Sequence, residues 1–237
     1  MVWMLLALIL VPLVYGISMF IKPPFDMKSR NTGVMIVCSV ISVLVIVLLI
    51  MVWRIGLNGY YKLFNIFGEN FSLAFRVDGL SMVFAAIVAI LWPITNLYAF
   101  EYMQHEEGQN RFFAFFTMTY GVVLGISFAA NLFTMYLFYE MLTLCTLPLV
   151  MHHMDRIAKY AGLMYLLYSM GGAAMAFISM IILANHGTLA FSAGGSLFPS
   201  DVTAYRPLLL VGFLLGFFGF GVKAAIFPLH DWLPTAG

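Results

Sequence analysis

Charged side chains divide this sequence into long uncharged runs. Residues 1–21, 33–53 and 79–100 contain no Asp, Glu, Lys or Arg, and Lys22, Arg54 and Glu101 close them. A bilayer core about 30 Å thick needs roughly 20 apolar residues of helix, so each run predicts one membrane span. Residues 112–151 hold a single charge, Glu140, and are long enough for two helices, predicted at 112–130 and 132–151 with a turn at Ala130 and Asn131. Residues 160–185 predict a sixth span, and 207–227 a seventh that contains Lys223. The expectation is an all-α polytopic membrane protein of about seven transmembrane helices, a single membrane domain over residues 1–237. Helical runs of this length exclude an outer-membrane barrel, whose strands alternate over about 10 residues.

The first span lacks a basic n-region and a small-residue cleavage site, and it is too long for the apolar core of a signal peptide, so it is expected to be retained. Loops 22–32, 102–111 and 152–159 carry Lys22, Lys28, Arg30, Arg111, Arg156 and Lys159, while the opposite side carries Arg54, Lys62, Arg76 and Arg206. That imbalance places the first set in the cytoplasm of a cell inner or plasma membrane, with the N-terminus outside and the C-terminus inside. The longest connection, 54–78, is semi-apolar (Tyr60, Tyr61, Phe64, Phe67, Phe71, Phe75) and is expected to lie on the bilayer surface. No Pro-, Gly- or Ser-rich linker and no repeat of 20–50 residues divides the chain.

Composition removes several function classes. The chain is 63% hydrophobic and 9% charged, against about 25% charged for a soluble domain. With 11 basic and 10 acidic side chains its net charge is +1, which gives no basic surplus for nucleic acid or a polybasic lipid surface. Cys38 and Cys145 lie inside apolar runs without CxxC spacing, so no disulfide, zinc or iron–sulfur site is expected. There is no GxGxxG, Walker or HExxH sequence, and the expectation is a chain that binds no flavin, nucleotide or metal cofactor.

Two ionisable residues fall deep inside spans. A charged side chain at membrane depth costs at least about 2.5–3.5 kcal/mol on insertion scales, so its retention points to use. Glu140 lies 9 residues beyond Asn131, about 13 Å along a helix and near the midplane. Burial disfavours the charged form of both a carboxylate and a lysine, and an opposite charge nearby restores it, so a Glu and a Lys that meet and part can load and release a proton. The alternative is a static buried ion pair, or two groups each facing a polar neighbour without titrating. Four glycines (Gly212, Gly216, Gly219, Gly221) precede Lys223 and Pro228 follows it. Pro228 lacks an N–H, so the seventh helix is predicted to break between Ile226 and His230, and broken backbone at this depth lines a protected or wet cavity. The glycines also suit close helix packing, Gly212 and Gly216 forming a GxxxG pair.

His230, beside Asp231, is placed to relay protons between water and Lys223, with local capping as the alternative. His152 and His153 share a loop with Asp155, Arg156 and Lys159 and read as solvated, and His186 carries no signal. Asp78 is expected to cap the start of the third span.

Residues 137–144 (LFYEMLTL) on the fifth span and 219–234 (GFGVKAAIFPLHDWLP) on the seventh resemble the antiporter-like membrane subunits shared by complex I, membrane-bound hydrogenases and Mrp-type cation/proton antiporters. Residues 77–81 (VDGLS) agree, so the resemblance runs from about residue 75 onward. It implies that Glu140 and Lys223 form the buried pair at the head of a proton path. It also implies two inverted five-helix repeats over about 14 helices, of which this chain holds an incomplete copy of the first. The eighth helix and the second repeat fall outside it, so either other membrane subunits supply the missing helices or the chain is part of a longer protein.

Three functions remain open. The first is a proton- or sodium-translocating subunit of a redox-driven respiratory or hydrogenase complex, holding no redox centre itself and partnered by peripheral redox subunits. The second is a subunit of an Mrp-type antiporter. The third is a non-conducting scaffold within such a complex.

Overall fold

The computed structural model describes residues 1–24, 26–56, 59–67 and 71–233. Pro234, part of the seventh-span motif, and the side chain of Phe67 lie outside the described residues. The elements run α1 (Val2–Ile21), α2 (Met27–Ile55), β1 (Gly59–Phe67), β2 (Phe71–Val77), α3 (Gly79–Tyr102), α4 (Gln109–Ser127), α5 (Leu132–Val150), α6 (Arg156–His186), α7 (Pro199–Ala204) and α8 (Arg206–Gly221). Short 3-10 turns follow α3 at Met103–His105 and α8 at Val222–Ala224.

Among the described residues six helices, α1, α2, α3, α5, α6 and α8, are long and apolar enough to cross a membrane. The helix in the place of the expected fourth span, α4, is 19 residues long and opens on polar Gln109, Asn110 and Arg111. It is nonetheless deeply packed, with Phe113, Tyr120, Val122 and Leu124 fully buried. The chain is a multi-pass membrane protein.

Polar side chains start four of these helices. Asp26, Asp78, Asn131 and Asp155 each accept a hydrogen bond from a backbone N–H three residues on, satisfying a donor that the helix itself leaves open. These caps carry α2 and α6 beyond the apolar runs, to Met27 and Arg156. Glycines set the closest packing. A Cβ on Gly121 of α4 would stand 2.4 Å from the Ile9 carbonyl oxygen of α1, and one on Gly219 of α8 would stand 2.6 Å from the Ala176 nitrogen of α6. Gly212 and Gly216 face Ile182 and Ser179 on the same side of α6, so the glycine stripe of α8 is a packing surface against α6.

The 54–78 connection takes up regular structure. It forms an antiparallel hairpin of β1 and β2, and Ser72, Ala74, Phe75 and Val77 of β2 are buried. Near-alternating burial is the period of a strand, and the α4–α5 turn supplies what it packs on. Arg76 N donates to Phe128 O at 2.8 Å and Ala130 N to Ala74 O at 3.0 Å. On its other side that turn meets the stretch after α6, with Leu132 N donating to Leu189 O at 2.9 Å. Asn131 joins the pieces: its Oδ1 caps α5 through Thr134 N and its Nδ2 donates to Ser72 O at 2.8 Å.

Candidate functional site

Glu140 and Lys223 approach from α5 and from the end of α8. α8 gives out at Gly221, Lys223 sits in the 3-10 turn, and Ala225 takes a left-handed conformation at φ 51°, so the helix ends before Pro228 is reached. The carbonyl of Gly219, in the last turn of α8, accepts from Tyr139 Oη at 3.0 Å. Trp232 folds back and donates its Nε1–H to Val222 O at 2.9 Å. The broken segment is thus tied down at both sides of Lys223.

The Lys223 ammonium donates to Thr143 Oγ1 at 2.8 Å and to Tyr165 Oη at 3.0 Å. It also lies 4.9 Å from the centroid of the Tyr139 ring and 5.1 Å from that of Tyr165, distances at which a ring face attracts a cation. Two hydroxyls and two rings therefore replace part of the hydration shell of the ammonium. Glu140 stands one turn before Thr143 on α5. Its Oε1 is buried and accepts no hydrogen bond among the described residues, and no ion pair within 4.0 Å joins it to Lys223 there. The arrangement is a lysine seated on neutral groups, with a carboxyl group nearby whose buried oxygen has no donor.

His230 does not hydrogen-bond to Lys223. Its Nε2 lies 3.8 Å from Asp231 Oδ1, its Nδ1 is buried without a hydrogen bond, and its ring packs on Phe227. Pro228 follows the broken turn at an exposed position. Asp78 caps α3: Ser81 N donates to Asp78 Oδ1 at 2.9 Å, and Arg76 binds Oδ2 at 2.6 Å. Burial alone would raise the Asp78 carboxyl, but hydrogen bonds from Ser81 and the charge of Arg76 outweigh it and hold it below the ordinary carboxylate range.

Sequence reasoning passed over Thr143, Tyr139 and Tyr165, which make up the lysine seat. A signal existed for Thr143, which follows Glu140 by three residues and so shares its helix face. Tyr165 comes from α6 and only packing brings it in. The histidine loop is exposed over 153–157, as a solvated loop should be, but the ring nitrogens of His152 are buried. His152 and His153 line a cavity of about 530 Å³ with Glu106 of the α3–α4 connection and Arg111 of α4. Burial pushes the His152 imidazole down, and Arg111 adds to that. His186, at the end of α6, lies 2.9 Å from Asp201 of α7 and holds its carboxyl below the usual range.

Residues 129–237 match the family described as NADH:quinone oxidoreductase/Mrp antiporter, TM, and residues 64–113 match the N-terminal family of NADH-ubiquinone oxidoreductase (complex I), chain 5. The chain belongs to this family of complex I and Mrp antiporter membrane subunits. Among family members it is 30% identical over 171 residues to hydrogenase-4 component B of Escherichia coli, covering 71% of this chain and 25% of that protein. It is 31% identical over 172 residues to a Na(+)/H(+) antiporter subunit of Alkalihalophilus pseudofirmus, covering 71% of this chain and 21% of that protein. The chain thus spans about a quarter or less of the length of these curated relatives. Its fold is similar to a chain of the membrane-bound sulfane sulfur reductase, an archaeal respiratory membrane complex, with a TM-score of 0.75 at 16% identity, covering 98% of this chain and 46% of that one. Glu140 and the Lys223 turn both fall within the family match at 129–237.

Proposed function

We propose that this chain is an ion-translocating membrane subunit of a redox-driven respiratory or hydrogenase complex, in which Glu140 and Lys223 take up and release protons. The observation that carries this reading is the seat of Lys223. A lysine on broken backbone at membrane depth is held by Thr143 and Tyr165, one helical turn from a carboxyl group whose buried oxygen has no donor. Such a lysine has two places to rest, on the hydroxyls or against Glu140. A shift between them changes how strongly each group holds its proton. Electron transfer in partner subunits would bias that shift by altering the field at one end of the path. Similarity to hydrogenase-4 component B and to the fold of a respiratory complex supports the redox setting.

In this reading peripheral redox subunits and further membrane subunits are partners, and the chain itself carries no redox centre. The membrane is the cell inner or plasma membrane, with the N-terminus outside and the C-terminal end cytoplasmic. His230 stands at that end as a relay to water, a role that needs its ring to turn away from Phe227. Similarity to a Na(+)/H(+) antiporter protein favours a second reading, an Mrp-type antiporter component without redox partners and with sodium as the coupled ion.

The test is Glu140→Gln in the assembled membrane complex, with proton translocation and electron transfer measured side by side. Translocation is expected to be lost while much of the electron transfer persists. Unchanged translocation would sink the assignment, and sodium efflux driven by a proton gradient alone would move the second reading to first place.

A further inference from the structure

We propose that Tyr165 and Thr146 form a proton relay that connects Lys223 to the α5–α6 loop end of the bundle. The inference rests on the ion-translocating reading of Lys223 and adds a direction to it. Lys223 Nζ donates to Tyr165 Oη at 3.0 Å, and Tyr165 Oη and Thr146 Oγ1 are 2.5 Å apart. Thr146 Oγ1 in turn lies 2.7 Å from Leu142 O.

Donor accounting fixes how these bonds point. An ammonium only donates, so the Tyr165 oxygen accepts from Lys223. A backbone carbonyl only accepts, so the single Thr146 proton lies on Leu142 O. The Tyr165 proton is then the one between the two hydroxyls, donated to Thr146 Oγ1. All three hydrogen bonds run in one sense, away from Lys223. Thr146 lies three residues beyond Thr143 on α5, and from it the helix runs on to Val150 and to His152 in the histidine-lined cavity.

Tyr165 is held for this task. It is 4% exposed, and its ring packs at 5.2 Å against Trp232, which bonds the carbonyl of Val222 beside Lys223. The hydroxyl and the ammonium are therefore positioned by the same broken segment.

The transfer balances as follows. One Nζ–H bond of Lys223 breaks as an O–H bond forms on Tyr165. The original Tyr165 proton passes to Thr146, and the proton that Thr146 carried goes to a water once its hydroxyl turns off Leu142 O. Lys223 ends neutral, both hydroxyls end neutral, and the water holds the extra proton. The turn of the Thr146 hydroxyl is the gate.

The experiment compares Thr146→Val, Thr146→Ser, Tyr165→Phe and Glu140→Gln in the assembled membrane complex, reading protons moved per electron transferred and the rate ratio between H2O and D2O. Thr146→Val and Tyr165→Phe are expected to lower translocation about a hundredfold, the lower end of the range for loss of a proton-transfer group, while Thr146→Ser retains it and keeps the isotope effect of the parent protein. Unchanged translocation in Thr146→Val overturns the relay. Equal loss in Thr146→Val and Thr146→Ser also overturns it, since the defect is then one of packing. Retained translocation in Glu140→Gln instead removes the underlying reading of Lys223.

Discussion

Lys223 Nζ and Thr143 Oγ1 are 2.8 Å apart, which places the half-buried cation of the helix break on a hydroxyl three residues beyond the half-buried Glu140 of α5. Glu140 and Thr143, three residues apart, share a face of α5, so the two neighbours proposed for the lysine lie on one surface.

Removing the Thr143 hydroxyl should therefore cost stability as well as turnover. Thr143→Val leaves the ammonium with Tyr165 Oη and the two rings, and the lost hydrogen bond to a charged group is expected to cost about 1.5–3 kcal/mol. Thr143→Ser should behave like the parent protein. Thermal unfolding of the detergent-solubilised protein measures this, and equal melting temperatures for the parent and Thr143→Val would refute it.

Gly219 should tolerate no side chain. A Cβ there meets the Ala176 nitrogen at 2.6 Å and the Gly172 oxygen at 2.7 Å, and both are backbone atoms that cannot turn aside. Gly219→Ala is expected to push α8 off α6 and to destabilise by about 1–3 kcal/mol. Gly171→Ala, where a Cβ meets nothing within 4 Å, is the control and should be neutral or stabilising. Thermal stability of the two variants, read together, separates a backbone clash from a general intolerance of α6 and α8 to substitution.

Asp78 predicts a pH dependence whose sign follows from its depressed ionisation. A carboxyl that ionises more readily folded than unfolded stabilises the fold at neutral pH, and loses that contribution as pH falls through its folded-state value. Asp78→Ala is expected to cost about 0.5–2 kcal/mol at neutral pH, the usual worth of a helix cap. The gap between the parent and Asp78→Ala should close as the pH drops below the ordinary carboxylate range. A gap that stays constant down to low pH would show that the Arg76 and Ser81 contacts do not hold the carboxylate charged.

Much of this fold was legible because lipid imposes a simple rule. A span must be uncharged and about 20 residues long, so counting between Lys22, Arg54, Glu101 and their successors locates the helices. The caps at Asp78 and Asn131 were also within reach, since a helix start needs a side-chain acceptor. The hairpin at 59–77 was not. Its aromatic residues suit a bilayer surface equally well, and what decides for a strand is the α4–α5 turn, whose Phe128 and Ala130 offer backbone partners that no local pattern announces.

The sequence by itself determined which two side chains are the candidates for the proposed chemistry. Glu140 and Lys223 stand alone in long apolar runs, and the cost of burying a charge singles them out wherever the helices lie. Only the tertiary structure decided what each one touches. Thr143 and Tyr165 reach Lys223 because the glycine stripe of α8 lets it press against α6, and because the helix ends at Gly221 and turns the lysine inward. Hydrogen bonds act over about 3 Å, and the packing of three helices sets those distances.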